Sequence, residues 1–264
     1  IDRHYLIKEN LMFPYMERYG ITAPPKVMWG VDDEIRAQLK EAAAMTEAAD
    51  ADTLRRAVEA LTGKVEEMIF KEENIMLPML LGALTPADWQ RIAEEARGLG
   101  HCLIDPPPVW RAPEAAQPKA AQPEAYPVPD GDVHLPTGVL RMVELARMLD
   151  ALPLDITFVD KDDTVRYFSQ GSERVFPRTK AVIGRKVINC HPPASVHIVE
   201  KIIDDLRHGR KEHEDFWIRM GEKLILIRYY AVRSEAGEYL GVLEVTQDIA
   251  PLQALTGEKR LVTD

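Results

Sequence analysis

The stretches DITFVDKDDTVRYFSQGSERVF (155–176) and YLGVLEVTQDIA (239–250) decide how the second half of this chain folds. The first opens on β-branched and aromatic residues, Ile156 to Val159, crosses the acidic turn Asp160-Lys161-Asp162-Asp163, and resumes with Val165 to Phe168. Strand formers interrupted by Asp-rich turn residues predict a hairpin. Between the two stretches lies NCHPPASVHIVEKIIDDLRHG (189–209), with Pro192-Pro193 where a helix starts and Gly209 where it stops. Its apolar residues Val196, Val199, Ile202, Ile203 and Leu206 fall at helical spacing. EDFWIRM (214–220), KLILIRYYAV (223–232) and YLGVLEVTQDI (239–249) read as three more strands, punctuated by Gly221, Gly237 and Gly241. Two strands, a helical middle and three antiparallel strands make an α+β domain. Its five-stranded antiparallel sheet has helices over one face and room for a cavity between.

The motifs ITFVD (156–160), VIGRKV (182–187) and TQDI (246–249), in this order of elements, resemble those of PAS domains. The resemblance implies a sensor or interaction module that binds a small ligand in its interior or responds to redox or oxygen state. Candidates to line that interior are Phe158, Tyr167, Phe168, Phe176, Ile183, Ile198, Ile202, Phe216, Ile218, Ile227 and Tyr229, with Arg228 as a polar anchor. The same residues also describe a core filled by its own side chains. His197 lies in the helix where some oxygen-sensing PAS domains place a haem ligand, although Pro193 and Lys201, one turn away, make no apolar pocket wall. Cys190-His191 carries redox-active and metal-binding side chains, but adjacent residues point different ways on a regular element, so a structural turn also fits. The cysteine-bearing helix motif of flavin-binding light sensors is absent. No nucleophile–base–orienter set, P-loop, GxGxxG or zinc spacing is present, so the expectation is a protein that is not an enzyme.

Length and composition bound the rest. With 264 residues, 46% of them hydrophobic, the chain has material for two ordinary domains. A net charge of −10, with no basic stripe, argues against nucleic acid as a partner. Two distant cysteines, Cys102 and Cys190, fit a reduced, cytoplasmic protein. No apolar run is long enough to span a bilayer. The chain opens inside a helical pattern without Met, which reads as a fragment truncated at its amino terminus.

Residues 1–100 read as all helix. HYLIKENLMF predicts a helix stopped near Pro14, and TAPPKVMWGV a loop leading into a helix capped by Asp32 or Asp33. DTLRRAVEALTGKVEEMIFKEENIMLPMLLGAL is a long helix capped by Asp52, and TPADWQRIAEEARGLG a last one, started by Thr85-Pro86 and ended by Gly98 or Gly100. KENLMFPYM (8–16) matches EENIMLPML (72–80), an internal repeat. This repeat resembles the hemerythrin-like HHE family, a four-helix bundle with inward His and carboxylate ligands around di-iron. The intervening MERYGITAPPKVMWGVDDEIR resembles a prokaryotic family that joins such a partial bundle to a carboxy-terminal PAS domain.

The family pattern wants His followed four residues later by a carboxylate. Here His4 is followed by Lys8 with Glu9 beside it, while Met68 stands at the second His position and Glu72 at the carboxylate. The stripe Leu54, Val58, Leu61, Val65, Met68, Glu72, Ile75, Met79 puts Glu72 on the core face, where an unpaired charge costs several kcal/mol. Two readings follow: an interior Lys8–Glu72 ion pair, or an iron site built from His4, Glu9, Glu72 and Asp33.

Residues 101–136, with Pro106-Pro107-Pro108 and repeated Ala-Gln-Pro, read as an extended linker. TGVLRMVELARMLDALP reads as an amphipathic helix leading a domain that spans 137–256, followed by a tail at 257–264. Such leading helices, or the sheet face, commonly pair PAS domains into homodimers; the helix also serves simply to cover its own sheet. The expectation is a multidomain signalling protein, with an iron- or oxygen-handling protein and a ligand-free dimerisation module as alternatives. The signalling partner is not encoded visibly.

Overall fold

The structure is a computed structural model describing residues 1–45, 50–110 and 131–258. The end of the helix expected over TEAA, most of the linker (111–130) and most of the tail (259–264) lie outside the described residues. The chain packs as two compact units, Ile1–Glu124 with Pro177–His197, and Ala125–Phe176 with Ile198–Asp264.

The first unit is helical: α1 (Asp2–Ile7), α2 (Phe13–Arg18), α3 (Ala23–Met45), α4 (Ala51–Lys71), α5 (Leu77–Ala83) and α6 (Pro86–Leu99). Its core joins Tyr5, Leu11, Phe13 and Met16 to Met28 and Ile35 of α3, Leu61 and Met68 of α4, Leu80 and Ile92. Pro14 does not stop the first helix. One π turn, Lys8–Met12, links α1 to α2, and a second, Glu72–Met76, links α4 to α5. In each, the first residue after the turn bonds back five residues, Phe13 N–H to Lys8 O and Leu77 N–H to Glu72 O. The wider turn lets each proline, Pro14 and Pro78, sit at the start of a fresh α segment, where its missing N–H costs nothing. The repeat is therefore a repeat of backbone as well as sequence.

The extra residue in the π turn also corrects the expected stripe. Beyond Glu72 the buried face runs through Met76 and Leu80, while Ile75 and Met79 are exposed. Two helix starts differ as well. Pro24 and Pro25 lie in the first turn of α3, where absent N–H groups are tolerated, so the expected loop is helix and Asp32 is an interior residue. Asp50 rather than Asp52 caps α4, accepting from the N–H groups of Asp52 and Thr53. Thr85 caps α6 in a capping box with Asp88, and Gly100 (φ 78°) follows its end.

The segment 177–197 completes this unit. The Thr179 hydroxyl donates to Asn10 O at 2.8 Å, the carbonyl that Pro14 cannot serve. The Lys180 N–H donates to Glu95, and Arg185 engages both oxygens of Glu17 at 2.6 and 2.7 Å.

The second unit carries a short hairpin, β1 (Asp132–Leu135) and β2 (Gly138–Arg141), then α7 (Met142–Ala151), β3 (Asp155–Asp160), β4 (Val165–Phe168), α8 (Val196–Arg207), whose first two residues group with the helical unit, β5 (His213–Met220), β6 (Lys223–Arg233), β7 (Tyr239–Asp248) and α9 (Ala250–Gln253). The hairpin is a correction: Asp132–Leu135 ends the stretch read as linker, and the leading helix begins at Met142, not Thr137. Runs of four residues are too short to display a period.

The large sheet is five-stranded and antiparallel, in the order β4-β3-β7-β6-β5. Ile156 pairs with Val245 and Val159 with Val242, so the two stretches that open and close the domain lie side by side. At Gly241 (φ 152°) an added Cβ would lie 2.1 Å from Val159 O, so only glycine permits the close approach of β7 to β3. Helix α8 buries Val199, Ile202, Ile203 and Leu206 and is tied to β6 through the Arg233 guanidinium, which donates to Leu206 O at 2.7 Å.

Candidate functional site

Two buried polar sets stand out, one in each unit. In the helical unit the two π turns bring Lys8 and Glu72 together. The Lys8 side chain is 2% exposed; Nζ donates to Glu72 Oε1 at 2.5 Å and to Asp32 Oδ1 of α3 at 2.7 Å. It also lies 4.4 Å from the centroid of the Tyr5 ring. His4, one turn earlier, donates from Nε2 to the other oxygen of Glu72 at 2.7 Å. A second group adjoins it. The Arg36 guanidinium grips both oxygens of Glu9 at 2.7 and 2.9 Å, Asp33 at 3.0 Å and Asp2 at 2.7 Å.

The charges shift one another. Burial would raise the Glu72 carboxyl, but His4 and Lys8 outweigh it and hold it below the ordinary value. Burial pushes Asp32 up to about 7 against the pull of Lys8, and burial likewise raises Glu9 and Asp33 despite Arg36. Of the four residues expected to hold iron, His4 and Glu72 do meet, while Glu9 and Asp33 are drawn to Arg36 instead. Among the described residues no group of three or more His, Cys, Asp or Glu converges to hold a metal ion. A divalent cation between Asp32 and Glu72 would sit about 2.0–2.2 Å from their oxygens, in space that Lys8 Nζ fills. The residues present do not fit a metal centre. From sequence Asp32 was read only as a candidate cap and Arg36 not at all; the Asp32-Asp33 pair inside a helical stretch was the available signal.

In the sheet unit, residues opposite one another in register share a face. One row on the more buried face reads Phe168, Thr157, Glu244, Tyr229, Glu214 across β4, β3, β7, β6 and β5; the next reads Asp155, Thr246, Ile227, Phe216. Thr157 and Thr246 are each 1% exposed, and neither hydroxyl has a hydrogen-bond partner. Glu244, also buried, lies on β7 between them. Asp155 instead meets Arg174 at 3.2 Å and accepts from the N–H groups of Val175 and Phe176.

This register divides the expected ligand-lining residues. Phe168, Phe216, Ile218, Ile227 and Tyr229 share the face of Thr157 and Thr246, whereas Phe158, Tyr167 and Arg228 lie on the opposite face. Ile202 is buried in α8, but Ile198 is 46% and Ile218 42% exposed, so neither is an interior residue. Phe176 is half-buried, and Ile183 packs in the helical unit. Thr157, Glu244 and Thr246 escaped the sequence reading, although a charged residue inside the apolar run VLEV was a visible signal.

The remaining candidates fall elsewhere. His197 is exposed, so it does not point at an interior haem. Cys190 ends a 3-10 turn, Val187–Cys190, with its thiol a free one 3.7 Å from Lys186 O. The His191 ring contacts Val187 O through Nδ1 at 2.9 Å. Both serve that turn. A cleft of about 210 Å³ opens beside it, with Trp29, Lys26 and Glu17 facing Asn189 and His191. No helix of the described residues is long and apolar enough to cross a membrane.

Comparison with known proteins finds a match in each half of the chain, and the second spans 177–197 of the helical unit as well. Residues 1–80 match the model of the hemerythrin HHE cation binding domain, and residues 145–250 that of a PAS domain. None of the curated proteins searched matches. Among solved structures, a C-terminal domain from Streptococcus mutans is 37% identical, with 48% of this chain and 98% of that one covered and a TM-score of 0.46. The PAS domain of a Colwellia psychrerythraea protein is 19% identical, covering 42% of this chain and 98% of that chain, with a TM-score of 0.34. The Aer2 receptor of Vibrio cholerae, described as a dual PAS-heme oxygen sensor, is 20% identical, covering 36% and 94%, with a TM-score of 0.28. The chain therefore combines a hemerythrin HHE region with a PAS domain that follows it.

Proposed function

We propose that this chain is a cytoplasmic, non-catalytic signalling protein whose PAS unit holds a small polar ligand against Thr157, Glu244 and Thr246. The observation that carries this reading is the pair of buried threonine hydroxyls without partners. A buried hydroxyl left unpaired costs about 1–3 kcal/mol, and a ligand offering donors and acceptors removes that cost. Thr157 and Glu244 face each other across paired strands, so occupancy bears directly on the β3–β7 register. Signalling follows if the ligand has different affinity for two arrangements of these strands. Helix α7 supplies an output surface, since Val143 and Met148 are exposed on it and suited to pairing with a second copy.

The test is extraction of small molecules from the purified chain, with absorbance and mass spectrometry, alongside the Thr157→Val and Thr246→Val variants. We expect a co-purifying polar compound that both variants lose while melting no lower than the parent. Recovery of no compound, together with variants that simply gain stability, would identify a filled core and a ligand-free module instead.

A further inference from the structure

We propose that the cation of the hemerythrin-like unit is the chain's own Lys8 ammonium, seated where the fold's metal would neutralise inward carboxylates. Two separate elements aim carboxylates at one point, Asp32 from α3 and Glu72 from the second π turn, while His4 of α1 backs Glu72 by donating to its other oxygen. Lys8 answers that point from the first π turn, at the repeat position equivalent to Glu72 itself. One copy of the repeat thus carries the anion and the other carries its counter-ion. The Tyr5 ring face completes the seat, a favourable wall for an ammonium. Neighbouring acids are not available to recruit a metal, because Arg36 holds Glu9 with two bonds and Asp33 with a third. The substitution also accounts for Met68, which stands buried at the second His position and contributes to the apolar core.

The consequence is a unit that folds without metal and gains a divalent site only when Lys8 is removed. The test uses the whole chain, with helical circular dichroism to follow melting and elemental analysis to count metal. For the parent chain, adding Zn²⁺, Fe²⁺ or a chelator leaves Tm unchanged, and bound metal stays well below one per chain. Lys8→Ala lowers Tm by about 10 °C or more without metal, because it strands two buried carboxylates. Zn²⁺ then restores part of that loss and binds at about one per chain, and Lys8→Ala with Glu72→Gln loses the binding. If Lys8→Ala does not fold alone, its recovery on refolding with Zn²⁺ supports the proposal, and failure to recover counts against it. One metal per parent chain with a raised Tm overturns it, as does a Lys8→Ala variant that melts like the parent and takes up no metal.

Discussion

The two copies of the repeat share a backbone and differ in surroundings. Both make a π turn before proline, and in both an asparagine amide donates to the carbonyl four residues back, Asn10 to Leu6 O and Asn74 to Phe70 O. Yet Glu9, Leu11, Phe13 and Tyr15 of the first copy are buried, while Glu73, Ile75, Leu77 and Met79 of the second are exposed. Backbone geometry here follows from proline and the local sequence. What each side chain does follows from the elements packed beside it.

That contrast can be broken by substitution. Phe13, fully buried, and Leu77, 41% exposed, are equivalent positions. Phe13→Ala should cost about 3–5 kcal/mol and Leu77→Ala less than about 1 kcal/mol in denaturant melts. Comparable losses would mean that the second copy is covered in solution. A smaller effect concerns pH. Asp32 is raised from 3.8 to about 7, chiefly by burial, with Lys8, Glu9 and Arg36 as its other influences. In that window the folded chain keeps a proton the unfolded chain has lost, so this group's contribution to stability declines as pH rises from about 4 toward 7. Asp32→Asn should flatten the decline; an unchanged pH profile would show that Asp32 is ionised throughout. Thr179→Val removes one bond to the Asn10 carbonyl and should cost about 1 kcal/mol in a thermal melt. Asn10→Ala and Asn74→Ala sharpen the comparison most finely. Each removes the same local bond, and the two losses should agree within about 0.5 kcal/mol.

Much of this was legible beforehand. The strands at Ile156–Val159 and Tyr239–Ile249 and the Thr85 start follow from spacing, and the Lys8–Glu72 pair was one of two readings drawn from the cost of lone buried charge. The π turns were not, because a proline after an apolar run reads as a stop, and the extra residue then moves every later position round the helix. Nor was the division of the sheet's faces. Leu224, Ile225, Leu226 and Ile227 are apolar without alternation, so β6 gives no parity until its partners fix the register. Arg36 reaches Glu9 across 27 positions, beyond any local signal.

Thr179, Lys180 and Arg185 belong to the helical unit, yet they are synthesised after the linker and after β3 and β4. On a ribosome, that unit waits while residues 125–176 of the other unit are made before its last contacts exist, and Glu17 meanwhile lacks the guanidinium that will match it. The timetable of folding in this chain is therefore interleaved: the helical part cannot close until the first strands of the other have left the ribosome.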